Sequence, residues 1–267
     1  MFEFTKKVLS SYYQDECEVY AIYGMPEGIG KSALALKTFT EIKSRPKPIK
    51  QNEQWPWDYE RVKPLLKFYP RDVVLLCKYM TDHNKRDEGF IWDDAGLWLN
   101  AMEWHDPFVI AFTKYLNIAR TNWSAIVLTT PVLEWVLKKV RSSEGLITVR
   151  VSKVKGHKTY RGKIREAKAY RRWVHPDRKH HGVVTVFSDV FNAMLPNDFY
   201  SWYKPIRDKY AAEAVSQMFK SLAKKKGLGW DVSKDKLALE EVREHIDKAN
   251  DVSEDLTEAI ASLPEPP

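Results

Sequence analysis

The segment from Glu18 to Ser32 combines the residue types of a phosphate-binding site: an apolar run, then closely spaced glycines, then Lys31 and Ser32. Small residues let backbone amides point at phosphate oxygens, a lysine reaches the β and γ oxygens, and a serine hydroxyl ligates Mg²⁺. A helix that begins at this point adds free amides to the site. We therefore predict that ATP, with Mg²⁺, is bound by Gly24, Met25, Pro26, Glu27, Gly28, Ile29, Gly30, Lys31, Ser32 and Ala33.

The start of this loop departs from the usual pattern. G-x-x-x-x-G-K-[ST] places a glycine at position 25, where this chain has Met25, and Gly24 stands one residue early. Two interpretations remain open: the loop begins one residue earlier, or its first position tolerates a larger side chain.

A second candidate element is the apolar run at 89–94, which ends in Asp93 and Asp94. A carboxylate at the end of a buried strand is typical of a Walker B element, which holds Mg²⁺. We predict that Asp93 is the metal residue and that Asp94 positions the attacking water, a role that more often falls to a longer glutamate. The alternative is an ordinary strand that runs into an Asp-Asp turn.

Thr129 and Thr130 end another apolar run and are candidates for sensing the γ-phosphate or the attacking water. The alternative is a strand-to-helix junction, because a threonine before Pro131 also suits a helix N-cap. Arg120 and Arg141 flank this strand and the helix predicted after it, and either is a candidate phosphate contact, within its own subunit or towards a neighbouring one. The alternative for each arginine is a solvated surface side chain. The predicted catalytic residues are thus Lys31, Asp94, Thr129, Thr130 and Arg141.

The elements that position these residues follow from hydrophobic periodicity. Strands are predicted at 18–23, 89–94, 124–130 and 146–152, and helices at 31–43, 71–83, 107–119 and 131–140. This alternation favours an α/β fold with a mainly parallel sheet covered on both faces. A basic β-meander is predicted at about 146–187, followed by C-terminal helices. We predict one domain at 1–230, including the meander, and an acidic helical tail at 231–267.

Composition narrows the class of protein. The chain has 267 residues, of which 44% are hydrophobic and 13% are aromatic, so general disorder is excluded. Its apolar runs are too short to span a bilayer, and the N-terminus lacks the layout of a secretory signal. The two cysteines, Cys17 and Cys77, have no metal-ligand spacing. We expect a cytoplasmic protein without a membrane helix.

Charge is segregated along the chain. Residues 145–181 hold twelve basic and two acidic residues, and residues 240–267 hold nine acidic and two basic ones. The basic segment is interleaved with Tyr160, Tyr170 and Trp173, a mixture suited to nucleic acid. We predict DNA contacts by Lys153, Lys155, Lys158, Arg161, Lys163, Arg165, Arg171 and Arg172, several of which share one parity and thus one strand face. The alternative is a solvated hairpin in a protein that is highly charged throughout.

With these three elements in order, the chain resembles P-loop ATPases that carry an additional strand between Walker A and Walker B, the division of AAA+ proteins, RecA-like motors and packaging ATPases. Trp92 to Gly96 is similar to the Walker B element of helicase loaders and transposition helpers. The whole chain is similar to small ATPases of archaeal viruses and plasmids. The resemblance implies a P-loop three-layer sandwich with strand order 5-1-4-3-2 and the phosphate loop after the central strand.

We therefore predict a Mg²⁺-dependent ATPase that performs work on DNA, such as replication, helicase loading, packaging or transfer. A homo-oligomer, for example a hexameric ring, is expected. Two alternatives stay open. One is a nucleotide or small-molecule kinase, and the other is a nucleotide-gated DNA-binding protein with little turnover.

Overall fold

The computed structural model describes residues 1–44, 59–136, 138–141, 145–154, 163–174 and 181–224. The chain forms two compact units, Met1–Tyr203 and Lys204–Pro267. The first unit contains the β-sheet, and the described part of the second is the helical stretch 204–224. The predicted domain boundary at 230 and the predicted tail at 231–267 lie outside the described residues. Within the described ranges, no helix combines the length and the apolar character needed to cross a membrane.

A seven-stranded, mostly parallel sheet is the main feature of the first unit. Its strands are β1 (Glu18–Tyr23), β2 (Leu66–Lys67), β3 (Phe90–Trp92), β4 (Ala125–Thr130), β5 (Leu146–Lys153), β6 (Ile164–Val174) and β7 (His181–Asn192). They lie in the order β2-β3-β4-β1-β5-β6-β7. The first five pair in parallel, and β6 and β7 extend the sheet antiparallel. The predicted strand order 5-1-4-3-2 and the predicted meander are confirmed.

The parallel strands form the core of this unit. All six residues of β4 and five of the six in β1 are buried, as expected for strands that are covered on both faces. Trp92 at the end of β3 and Trp123 just before β4 are fully buried. The predicted α/β fold class is therefore confirmed.

Six α-helices accompany the sheet within the described ranges. They are α1 (Glu3–Tyr13), α2 (Lys31–Lys43), α3 (Pro70–Asp82), α4 (Pro107–Leu116), α5 (Lys138–Arg141) and α6 (Asn197–Lys224). Helix α4 begins where the Asp106 carboxylate accepts hydrogen bonds from two backbone amides and Pro107 occupies the first turn. The predicted helices at 31–43, 71–83 and 107–119 are confirmed, with ends that shift by up to three residues.

The predicted helix at 131–140 is wrong. The chain forms a 3₁₀ turn at Leu133–Trp135 and then the four-residue α5. Val136 is extended and makes an antiparallel bridge with Asn100, and this bridge interrupts helical hydrogen bonding.

The first helix, α1, is tied to β7 and to α2 by two buried carboxylates. Asp189 of β7 accepts hydrogen bonds from the amides of Glu3 (2.8 Å) and Phe4 (2.9 Å). Glu41 of α2 accepts from the Phe2 amide at 2.8 Å and from the Thr5 hydroxyl at 2.6 Å. Negative charge at a helix N-terminus is stabilising. These bonds link the antiparallel part of the sheet to α2, the helix that follows the phosphate loop.

Candidate nucleotide site

The phosphate loop connects β1 to α2. Gly28 and Gly30 have φ values of +75° and +107°, a left-handed conformation that side-chain-bearing residues rarely adopt. A Cβ on Gly24 would lie 2.4 Å from the Val151 carbonyl oxygen, whereas the Met25 side chain is 62% exposed. The close approach therefore requires a glycine at position 24 and tolerates methionine at position 25. Both interpretations of the loop therefore fit: the glycine of the close approach stands one residue early, and position 25 accommodates a larger side chain.

Lys31 is the first residue of α2, and its side chain is buried against the loop. Its Nζ lies 3.4 Å from the Gly24 carbonyl oxygen, so the lysine folds back over the chain that would surround a phosphate. The thirteen-residue α2 begins at the same point and adds its amides and dipole. The Lys31 ammonium and the N-terminus of α2 thus face the same small volume.

Two predicted site residues meet at a third, Asp93, which is 1% exposed. Its Oδ1 accepts hydrogen bonds from Ser32 Oγ at 2.7 Å and from Thr129 Oγ1 at 2.6 Å. The side chains come from the first turn of α2, the end of β3 and the end of β4. They converge because the carboxyl ends of adjacent parallel strands lie at one edge of the sheet.

A third partner of this carboxylate was not predicted. The hydroxyl of Tyr203 donates to Asp93 Oδ2 at 2.6 Å, from the early part of α6. The tyrosine is 3% exposed and packs against Phe68, with ring centroids 5.9 Å apart. The sequence indicated only that the aromatic run 199–203 packs. One further signal was present, since a buried tyrosine hydroxyl usually finds a polar partner.

The two threonines at the end of β4 have different partners. Thr129 Oγ1 donates to Asp93 and accepts from the amide of Asp94 at 2.8 Å. Thr130 Oγ1 donates instead to the Val132 carbonyl at 2.9 Å, and Gly96 packs closely against it. Thr129 therefore joins the two aspartates, while Thr130 holds the turn that follows the strand.

Asp94 adopts a left-handed conformation, with φ 52° and ψ 34°. This conformation is uncommon for a non-glycine residue, although aspartate is among those that adopt it most readily. The Thr129 bond to its amide fixes the backbone there. The structure thus places Asp94 beside the predicted metal residue, in a backbone conformation that a neighbouring side chain helps to hold.

Arg141 lies away from this cluster of contacts. Its Nε donates to the Val136 carbonyl at 2.6 Å, and its side chain lines a cavity beside β5 and β6. The predicted phosphate contact of Arg141 stays a prediction.

The β6–β7 hairpin supports the phosphate loop. Arg165 is buried and donates from Nε to the Ile29 carbonyl at 3.0 Å. Lys37 of α2 donates to the Asn192 carbonyl at 2.6 Å, and burial lowers the pKa of this lysine. A Cβ on Gly30 would lie 2.7 Å from Cβ of Ala193, just past β7. The hairpin therefore packs directly against the loop.

The basic residues of the meander divide between buried and exposed positions. Lys155, Lys158 and Arg161 lie outside the described residues. Lys153, Lys163 and Arg172 are exposed, whereas Arg165 contacts the loop and Arg171 pairs with the buried Glu18 of β1.

The predicted DNA contacts of Arg165 and Arg171 stay predictions, although both side chains have partners within the protein. On β6 their side of the strand also carries the buried Ala167 and Ala169. Contact of these two arginines with DNA would require their present bonds to break.

No family model matches the sequence. Over 125 residues the chain is 28% identical to the uncharacterized protein B-251 of Sulfolobus spindle-shape virus 1, a stretch that covers 47% of each protein. The chain thus aligns with about half the length of this curated relative.

Two solved structures are similar to the chain. The N-terminal domain of zonular occludens toxin from Neisseria meningitidis has a TM-score of 0.35 and 15% identity, over 70% of this chain and 98% of that one. The genome packaging NTPase B204 of Sulfolobus turreted icosahedral virus 2, in complex with ATP-gammaS, has a TM-score of 0.36 and 10% identity, over 62% and 96%. At these values neither neighbour indicates what this chain binds.

Proposed function

We propose that this chain is a Mg²⁺-dependent ATPase that couples ATP binding and hydrolysis to work on DNA. The observation that carries the proposal is the meeting of Ser32 and Thr129 on one oxygen of the buried Asp93, directly beside a glycine-dependent loop with a buried lysine. A hydroxyl from the loop helix and a carboxylate from the end of a parallel strand form the combination that P-loop NTPases use.

The donor set fits Mg²⁺. This ion prefers oxygen ligands and is commonly held by one or two carboxylates together with substrate phosphates and water. Ser32 Oγ and Asp93 Oδ1 are already neighbours at 2.7 Å, so both oxygens face one point. Mg²⁺ supplies neutralisation of the charge on the β and γ phosphates.

The residues of the chain have separate tasks in this proposal. Loop amides and the Lys31 ammonium bind and orient the triphosphate. Asp93 and Ser32 hold the metal, and Asp94 orients the attacking water as a hydrogen-bond acceptor. Thr129 reports the state of the site, because its hydroxyl contacts both the Asp93 carboxylate and the Asp94 amide.

The DNA part of the proposal is supported by charge. Twelve basic residues lie within 145–181, and those described as exposed include Arg150, Lys153 and Arg172. A concentrated positive surface attracts nucleic acid through phosphate neutralisation. We further propose a cytoplasmic homo-oligomer, such as a ring of six, which the particle mass in the presence of ATP and Mg²⁺ tests.

The test of the main proposal is the rate of ATP hydrolysis with and without DNA. Lys31→Ala and Asp94→Asn should each abolish DNA-stimulated turnover. Matched controls are Lys78→Ala and Asp82→Asn, which alter an exposed pair on α3 and should leave the rate unchanged. Turnover that is independent of DNA and survives both site substitutions would refute the proposal.

A second candidate, a nucleotide-gated DNA-binding protein, is favoured by one observation: an aspartate, not the longer glutamate, follows Asp93. ATP-dependent DNA binding without hydrolysis by the wild-type chain would select this candidate. Transfer of labelled γ-phosphate to an acceptor other than water would instead select a kinase.

A further inference from the structure

A concave site adjoins the segment that follows β4. It is a cavity of about 310 Å³ between α5 and the strands β5 to β7, and its lining includes Lys138, Arg141, Tyr170 and Arg172. Three of these side chains are cationic and one is aromatic. The cavity contains no acidic lining residue within the described part of the chain.

Within the described ranges, the cationic side chains of this cavity form no ion pair with a carboxylate. Among the ion pairs of the described residues, none involves Lys138, Arg141 or Arg172. Arg141 is oriented by its Nε bond to the Val136 carbonyl at 2.6 Å. A guanidinium held through Nε keeps its outer N–H groups available for a phosphate, which it can bind in a bidentate manner.

The strand surface beside the cavity also carries cationic and aromatic side chains. Lys168, Tyr170 and Arg172 alternate along β6 and therefore share one face. Arg150 of β5 is the register partner of Lys168 and is exposed. Lys168 pairs with Glu166 at 3.0 Å, so the charge of the row is strongest at its Arg172 end, next to the cavity.

We infer that this cavity binds single-stranded nucleic acid, with backbone phosphates on Arg141, Arg172 and Lys138 and a base stacked on Tyr170. Cations that follow a backbone, together with an aromatic ring, are the means by which single strands are held without sequence preference. The ring is recessed among the cations, where an unstacked base reaches it. The bases of a duplex are stacked inside and do not.

The cavity is also connected to the nucleotide site. Leu133 lines the cavity and lies three residues after Thr130, and the intervening Pro131 accepts a hydrogen bond from the Gly24 amide at 3.3 Å. One short segment thus touches the phosphate loop at one end and the cavity at the other. The inference rests on the proposed function in naming its partner, although binding itself requires no hydrolysis.

The test is fluorescence anisotropy of a labelled oligothymidylate with the full chain, at about 0.1 M salt and without nucleotide. Arg172→Glu should weaken binding by about tenfold or more, since a phosphate contact becomes a repulsion. Tyr170→Ala should weaken it by about fivefold or more, and Tyr170→Phe should retain it, because stacking needs the ring and not the hydroxyl.

The matched controls are Arg71→Glu on α3 and Tyr13→Ala at the end of α1, both of exposed side chains. Equal losses in the controls, or wild-type affinity of Arg172→Glu, would overturn the inference. The inference would also be overturned if Tyr170→Ala kept its affinity for the oligonucleotide while heparin competed as well as the oligonucleotide. That result would indicate a surface that binds polyanions in general. Tighter binding of a duplex, independent of Tyr170, would likewise overturn it.

The two proposals fail separately. Lys31→Ala should leave nucleotide-free oligonucleotide binding unchanged. A chain that binds the oligonucleotide through Arg172 but never hydrolyses ATP would refute the ATPase alone, whereas ATP hydrolysis without Arg172-dependent binding would refute the cavity assignment alone.

Discussion

At the carboxyl edge of the parallel strands, polar residues come at strand ends: Asp93 follows β3, and Thr129 lies at the end of β4. In β5, β6 and β7, which pair with one another antiparallel, charged residues lie along the strands, and successive residues face opposite sides of the sheet. The carboxyl ends of parallel strands all lie at one edge of the sheet, so a polar residue at a strand end has one possible location. A residue within a strand can face either side of the sheet. The side that it faces decides whether an arginine is buried against the protein or exposed to solvent.

The largest effect is expected at Asp93, at the carboxyl edge of the parallel strands. Asp93→Asn removes the negative charge that the Ser32 and Thr129 hydroxyls face, so the ATPase rate should fall by about 10²-fold or more. Steady-state hydrolysis measures this, with Asp82→Asn as the control. A nearly unchanged rate would mean that the edge of the parallel strands is not the reacting site.

Tyr203→Phe tests the hydrogen bond from Tyr203 to Asp93, which was not predicted from the sequence. One hydrogen bond to the Asp93 carboxylate is lost and the ring remains, so the rate should fall about tenfold, in line with about 1.5 kcal/mol for a bond to a charged group. If Tyr203 positions Asp93, the Mg²⁺ concentration needed for half-maximal rate should also rise. Tyr200→Phe, half exposed on the same helix, is the control. A Tyr203 variant with unaltered Mg²⁺ dependence would assign the tyrosine to packing alone.

Arg165 and Arg172 of β6 test whether the side of the sheet that an arginine faces decides its role. Arg165→Ala leaves the buried Ile29 carbonyl without this partner and should lower the free energy of unfolding by about 1–3 kcal/mol and weaken ATP binding. Arg172→Ala, exposed on the other side, should leave both unchanged and weaken oligonucleotide binding. Thermal unfolding and nucleotide titration measure the difference. Equal behaviour of the two variants would contradict the assigned faces.

The smallest expected effect lies at the amino edge of the parallel strands, away from both sites. Lys43 donates to Asp87 at 2.7 Å and to Glu88 at 2.6 Å. Burial lowers the pKa of Lys43, but the two carboxylates outweigh it, and the net pKa is raised above 10.5.

Because the folded-state pKa is raised, the stabilisation by Lys43 is fully present below about pH 10.5 and is lost as the pH rises through the folded-state value. Lys43→Met should therefore cost about 1 kcal/mol between pH 7 and 10, with a smaller difference from wild type at higher pH. Denaturant unfolding at several pH values measures this. A difference that grows with pH would contradict the assignment, and ATP turnover should be unaffected.

Much of the parallel half could be predicted from local patterns. The helix 31–43 and the strand 18–23 followed from apolar periodicity, whereas the strand order followed from the resemblance to P-loop ATPases. The first helix, α1, was not predicted, although Phe4 and Val8 are spaced for one buried face. The predicted helix at 131–140 failed because Val136 pairs with Asn100, a contact that no local pattern contains.

The sequence by itself determined the glycine-rich loop and the start of α2, since Gly28, Gly30, Lys31 and Ser32 are neighbours in the chain and their backbone requirements are local. Only the tertiary structure decided which residues contact this loop and Asp93. Tyr203 meets Asp93 across 110 residues, and Arg165 meets Ile29 across 136. Such contacts depend on how elements pack and on strand register. A shift of one residue in β6 would exchange its buried and exposed side chains, and no motif records that choice.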